Sequence, residues 1–286
     1  MPDPDALEAA WAVLDLAGAG GDDVVVRSGS SLLVRRANAL ARVRPSAERA
    51  VTERELAMAA VLEACDVPAV KALAGVGLVE VAGHVATCWE WVDAVRAATP
   101  GDLGFLARRL RSNTSGLDPT ALVAFDPIGH VVAVVGDCGD EPDVCFVRER
   151  AEVLVGRFAE VAGHDPLGAA VVHGDLHSEN VVVGPVGPLL VDLELGGWGP
   201  PSYDLVPAVV ASRRYGVPTG DLDVFIRAAA VDPRGWDGFA TLVDVYELWV
   251  TAWAVSVAHR REEWAAEAAL RVATLRDGLE RTWRLS

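Results

Sequence analysis

The spacing of apolar and polar residues changes period twice along the chain. ALEAAWAVLDLAG carries apolar residues at helical spacing, and Asp3-Pro4 just before it supplies a start, since proline is tolerated in a first turn. DVVVRS, SLLVRR and ALARVR follow as short runs rich in Val and Leu, separated by turn-sized gaps, which predicts three antiparallel strands. Ser46 is placed to cap a helix over ERAVTERELAMAAVLEAC that ends before Pro68. GLVEVAG and HVATCWEW add two strand-like runs to the same sheet. From about Thr99 helical spacing dominates, in DLGFLARRLRS and in VCFVRERAEVLVGRFAEVAG, with a loop containing GDCGDEPD between them. A second strand pair is expected at VVV and LLV around GPVG, and everything after Tyr203 reads as helices with short connections. The pattern predicts an α+β, bilobal chain: a small β-rich N-lobe over residues 1–87 and a larger, mainly helical C-lobe over residues 88–286.

Composition narrows the picture. With 286 residues, 51% of them hydrophobic, the chain can bury a large core, which excludes disorder. No uninterrupted apolar stretch reaches the ~18 residues of a membrane span. The longest candidate, around Leu248 to Ala258, is short and closely preceded by Asp244 and Glu247. The N-terminal MPDPDALEAAW is acidic where a signal peptide is basic, so the expected location is the cytoplasm. Cys65, Cys88, Cys138 and Cys145 show no CxxC spacing and read as reduced structural thiols. The net charge is −16, shared as −4 over residues 1–87 and −12 over residues 88–286. Such a field repels nucleic acid and anionic membranes and attracts cations, or it merely maintains solubility.

One stretch concentrates the chemistry. In VVHGDLHSENVVV, residues 171–183, two strand-like runs are interrupted by His173, Asp175, His177 and Asn180. Folding VVV and LLV into a hairpin brings Asp192 back beside Asn180. An amide and a carboxylate there suit a hard cation such as Mg²⁺, which prefers oxygen donors and completes its shell with substrate phosphates. Asp175 is placed to orient a hydroxyl and accept its proton during phosphoryl transfer. HGDLHSEN followed by VDLE resembles the catalytic segment of the aminoglycoside phosphotransferase family, whose fold is protein-kinase-like. The resemblance covers roughly residues 20 to 280 and is strongest at 171–206. It implies Asp175 as catalytic base, Asn180 and Asp192 as magnesium ligands, and ATP or GTP as phosphoryl donor to a small-molecule hydroxyl.

A site of that kind needs a cation on the third strand and a carboxylate on the next helix. Arg42 stands on the strand where protein kinases have lysine, and a guanidinium contacts phosphate in a bidentate manner. Lys71, the single lysine, lies beyond the helix. Glu55 shares a helical face with Val51, Met58 and Leu62, while Glu53 aligns with Ala57, Ala60 and Ala64, so Glu55 is the expected partner. Ser28, Gly29, Ser30 and Ser31 form a turn which, in this context, covers the nucleotide phosphates with backbone N–H groups and hydroxyls. The resemblance places the lobe junction at Cys88-Trp89-Glu90-Trp91, with its backbone pairing to the adenine edge. Trp89 and Trp91 are either nucleotide contacts or plain core residues.

The substrate leaves weaker traces. His173 reads as a structural hydrogen-bonding residue of the loop, and Asp204 as a cap or a brace for it. His177 lies near substrate or serves the loop; Glu194 supports the metal site, faces substrate or faces solvent. In the nearly all-apolar helix WDGFATLVDVYELWVTAWAV, Asp244, Glu247 and Thr251 share one face. A buried carboxylate there needs a partner, either a substrate ammonium or an internal arginine. With the −12 charge of the C-lobe, this favours a cationic acceptor such as an aminoglycoside or basic peptide antibiotic, acted on by a monomer or homodimer. A metabolic kinase of an amino sugar or amino alcohol is the alternative, and a nucleotide-binding pseudokinase is a third.

Overall fold

The computed structural model describes residues 2–29 and 31–284 and divides into two compact units. One unit takes the chain up to Ala98, Thr120–Val123 and Glu179–Gly196; the other takes Thr99–Pro119, Ala124–Ser178 and the chain from Gly197 onward. The division is discontinuous, whereas the sequence pattern suggests a single cut between residues 87 and 88. Residues 88–90 continue a strand of the first unit's sheet, and the hairpin joins this unit through backbone hydrogen bonds from Val70 to Leu190 and from Val95 to Val183.

In the first unit, α1 (Pro4–Leu16) starts at Asp3, whose side chain accepts from the Asp5 N–H. Five antiparallel strands follow: β1 (Asp23–Ser28), β2 (Leu32–Arg36), β3 (Ala39–Pro45), β4 (Val79–Val81) and β5 (His84–Glu90), in the order β1-β2-β3-β5-β4. Ala39, Ala41 and Val43 alternate along β3 into a core with Ala9, Ala10, Val13 and Leu14 of α1. The period of two therefore sends Arg42 and Arg44 to the opposite face. There α2 (Arg49–Ala64) buries Glu55, Met58 and Leu62. Ser46 does not cap this helix: it opens a 3-10 turn, Ser46–Glu48, in which no side chain caps the helix end.

The second unit is built on helices. These are α3 (Pro100–Thr114), α4 (Pro127–Val134), α5 (Pro142–Ala162), α6 (Val206–Arg214), α7 (Thr219–Ala229), α8 (Phe239–Arg260) and α9 (Ala265–Asp277). Thr99 and Asp102 form a reciprocal capping box at the start of α3. Gly104 lets α3 approach α7 so closely that a Cβ there would run into the Phe225 carbonyl. The sequence pattern predicts a loop where α4 forms; eight residues are too few to display a helical period, and burial of Ile128 and Val131 holds it. At the centre α8 packs against α4, α5, α6 and α9. Contrary to the sequence expectation, α8 has the length and apolar character to cross a membrane, yet most of that window is buried inside the protein.

The catalytic-type segment begins at β6 (Ala170–Val172), which pairs with β9 (Gly197–Gly199) in the second unit. The hairpin of β7 (Val181–Gly184) and β8 (Gly187–Leu190) lies in the first unit.

Candidate active site

Asp175 lies on the loop after β6. Tyr246, from α8, donates its hydroxyl to Asp175 Oδ1 at 2.9 Å, and His177 Nε2 stands 3.3 Å from Asp175 Oδ2. Burial works to raise the Asp175 carboxyl. The charge of His177 and the hydrogen bonds from His177 and Tyr246 outweigh it and hold the carboxyl below the ordinary aspartate range. Burial, with Asp175 beside it, pushes the Tyr246 hydroxyl well above its usual value, so Tyr246 remains a donor.

The loop itself is braced from below. Asp204 accepts from the backbone N–H groups of His173 at 2.8 Å and Gly174 at 2.9 Å. Gly174 has φ +88°, a left-handed conformation that favours glycine. His173 is fully buried, and its Nδ1 accepts from the Asp175 N–H at 3.3 Å, so it holds the loop. Asp165 adds a second anchor, accepting from the Ser202 N–H at 2.9 Å and from its hydroxyl at 2.8 Å.

In the first unit the hairpin register sets Val181 opposite Leu190, and Val191 N–H donates to the Asn180 carbonyl at 3.0 Å. Asn180 and Asp192 thus stand at the same end of the hairpin. Asp192 has φ 61° and ψ 57°, a left-handed conformation that costs a residue with a Cβ roughly 1–2 kcal/mol. Its carboxylate accepts from Arg42 Nη2 at 2.5 Å. Arg42 also donates to Glu55 and, at 2.8 Å, to Glu194. Burial works against the Arg42 charge, but Glu55, Asp192 and Glu194 raise its pKa further, so it stays a cation. Burial pushes the Glu55 carboxyl up while Arg42 and Arg44 pull the other way.

No group of three or more His, Cys, Asp and Glu side chains among the described residues is arranged to hold a metal by itself. The donor chemistry of Asn180 and Asp192, one amide oxygen and one carboxylate, fits a cation that takes its remaining ligands from water and phosphate.

The other expected site residues divide. Ser28 and Gly29 are exposed at the β1–β2 turn, Ser31 is buried with an Oγ that has no hydrogen-bond partner, and Ser30 lies outside the described residues. Trp89 is a core residue, its indole N–H donating to Thr87 Oγ1 at 2.8 Å. Trp91 is half-buried, with the Arg35 guanidinium 4.5 Å over its ring. The N–H groups of Glu90 and Trp91 already pair with the carbonyls of Lys71 and Asn38. Glu194 turns to Arg42 and Arg44 in the first unit.

Glu247 is not a buried carboxylate awaiting a substrate: Arg214 grips both its oxygens at 2.7 and 2.9 Å, and both side chains are buried. Asp244 is part-exposed beside Arg150 and Arg157, at 3.4 and 3.7 Å. Sequence reasoning missed Arg44 and Tyr246. The first had a signal, because its alternation with Arg42 places both on one sheet face. The second had none, since nothing in the order of residues points Tyr246 toward a loop 71 positions away.

The family described as "Phosphotransferase enzyme family" matches residues 15–242. The chain belongs to this family. As a member, this phosphotransferase is a small-molecule kinase. The comparison with curated proteins gives no match. Among solved structures, an amicoumacin kinase in complex with AMP-PNP, Ca²⁺ and Ami is similar at TM-score 0.73 and 12% identity, covering 94% of each chain. A microcompartment-associated aminopropanol kinase is similar at 0.67 and 17%, covering 94% of this chain and 95% of that one. A spectinomycin phosphotransferase in complex with ADP and spectinomycin is similar at 0.60 and 11%, covering 96% and 95%. At these identities the likeness is one of fold, and the fold is the protein-kinase-like one that HGDLHSEN and VDLE imply.

Proposed function

We propose that this phosphotransferase moves the γ-phosphate of ATP or GTP, bound with Mg²⁺, to a hydroxyl of a small cationic antibiotic of the aminoglycoside or basic peptide type, conferring resistance in the cytoplasm. The observation that carries the reading is Asp175, kept ionised by Tyr246 and His177 on a loop braced by Asp204. Asp175 accepts the proton of the acceptor hydroxyl as its oxygen bonds to the γ-phosphorus and the bond to the β-phosphate oxygen breaks. Asn180 and Asp192 hold the metal, which when bound neutralises phosphate charge. Arg42 contacts the phosphates and Glu55 orients it. Ser28, Gly29 and Ser31 border the phosphates, and Trp91 borders the base. The amicoumacin kinase structure, with a nucleotide analogue and Ca²⁺, supports a nucleotide donor and a divalent metal. The −12 charge of residues 88–286 supports a cationic acceptor.

The likeness to an aminopropanol kinase favours a second reading, a metabolic kinase of an amino alcohol or amino sugar with the same chemistry. Nucleoside diphosphate release with Mg·ATP or Mg·GTP, measured over a panel of cationic antibiotics, amino sugars and amino alcohols, separates the two. Release dependent on an antibiotic and lowered about 10²–10⁴-fold by Asp175→Asn is the expected result. Release with an amino alcohol alone selects the metabolic reading, and release unaffected by Asp175→Asn removes Asp175 as the base.

A further inference from the structure

A kinase-type site needs one cation on β3. This chain carries two, and both end in the same carboxylates. Arg44 Nη1 donates to Glu55 Oε2 at 2.8 Å, and its Nη2 donates to Glu194 Oε2. Arg42 meets the same pair, at Glu55 Oε1 and, at 2.8 Å, at Glu194 Oε2. The four side chains close a ring, with Asp192 joined to it through Arg42. Exposure is graded across the ring. The side chains of Arg44 and Glu55 are 2% and 3% exposed, Arg42 is 12%, and Asp192 and Glu194 are 30% each.

The gradient separates two duties that one guanidinium cannot perform together. A phosphate oxygen that takes Arg42 Nη2 takes it from Asp192 and Glu194. With Arg42 as sole cation, that exchange would leave the part-buried Asp192 and Glu194 without counter-charge, which opposes it. Arg44 sits deeper, touches both glutamates through separate nitrogens, and neutralises them whichever way Arg42 turns. We propose that Arg44 is a positioning residue: the fixed counter-charge of Glu55 and Glu194 that leaves Arg42 available to the nucleotide phosphates. This rests on the reading of Arg42 as the phosphate-contacting cation. Without Arg44, three carboxylates hold one guanidinium and the nucleotide must compete with all of them. Neutralising Glu194 at the same time relaxes that hold.

The test is equilibrium binding of a non-hydrolysable ATP analogue with Mg²⁺ to the full chain, beside the thermal midpoint of each variant. Arg44→Met is expected to weaken binding by about tenfold or more, and Arg44→Met with Glu194→Gln to recover most of it, although the double variant has lost a further ion pair. Should Arg44→Met fail to fold, Arg44→Lys, whose single ammonium cannot serve both glutamates in the same way, is compared with Arg44→Lys/Glu194→Gln and expected to behave alike. Unchanged binding on removing Arg44, or a double variant no better than the single, overturns the proposal, because a residue that only holds the fold is not rescued by removing another of its partners. Wild-type protein that binds no nucleotide sinks the kinase-site reading and this inference together. Wild-type binding with no response at Arg44 sinks this inference alone.

Discussion

Asp175 is held by neighbours from separate parts of the second unit: His177 two residues on along its own loop, and Tyr246 from the middle of α8. Both favour the ionised carboxylate, and both can be removed without touching the loop backbone. Asp175 must be ionised to take a proton, so the acid limb of kcat/KM follows its pKa in the free enzyme. That pKa lies below the ordinary aspartate value, which places the wild-type limb at low pH. Tyr246→Phe removes a hydrogen bond to the charged form, and His177→Asn removes the charge that offsets burial; each lets the carboxyl rise. The expected outcome is an acid limb displaced to higher pH in both variants, with activity well above the limb largely retained. A pH–rate profile that does not move in Tyr246→Phe would show that Asp175 is not the titrating group.

The acidic residues of α8 owe their setting to where that helix runs. Its side chains are apolar almost all round because it runs through the middle of the helical packing, and Glu247 is buried there with Arg214 as partner. The α6 residue Arg214 is itself anchored, donating to the Leu279 carbonyl at 2.9 Å and lying 5.0 Å from the Trp283 ring. Removing Glu247 takes the bidentate partner from the buried guanidinium and leaves it the exposed Glu280, at 3.3 Å, as counter-charge. Glu247→Ala is therefore expected to destabilise the protein by about 3–5 kcal/mol, read as a lowered midpoint in denaturant with an unchanged slope. Loss of acceptor specificity at full stability would instead return Glu247 to the substrate site. Alternation on β3 and the 3.6-residue period of α2 make Arg42 and Glu55 legible in the sequence, since each follows from which face of its element is apolar. Arg44 obeys the same rule, but a site of this kind requires only one cation on the strand, so alternation alone gives Arg44 no role. The short α4 had no period to read.

For the whole molecule, the charge of −16 produces a field that reaches beyond any single contact. If the acceptor is a polycation, association is steered by that field and weakens as salt shortens the Debye length from about 10 Å at 0.1 M toward about 3 Å at 1 M. The expected result is a kcat/KM for a polycationic acceptor that falls several-fold between low and moderate salt, while that for a neutral acceptor stays nearly level. Equal salt dependence for both would assign the charge to solubility.

The features legible in the order of residues are local and periodic. The antiparallel strands of the first unit, the helix carrying Glu55, the hairpin that sets Asn180 and Asp192 at one end, and the catalytic-type loop all follow from spacing along a few tens of residues. Partnerships across long separations emerge from packing alone: Tyr246 with Asp175, Arg214 with Glu247, Asp204 beneath His173 and Gly174, and Arg44 shared between Glu55 and Glu194. A buried carboxylate announces in the sequence that it needs a partner, because an unpaired charge in an apolar interior is prohibitively unstable. Which side chain answers depends on how helices and strands pack, and packing brings together residues that no period connects.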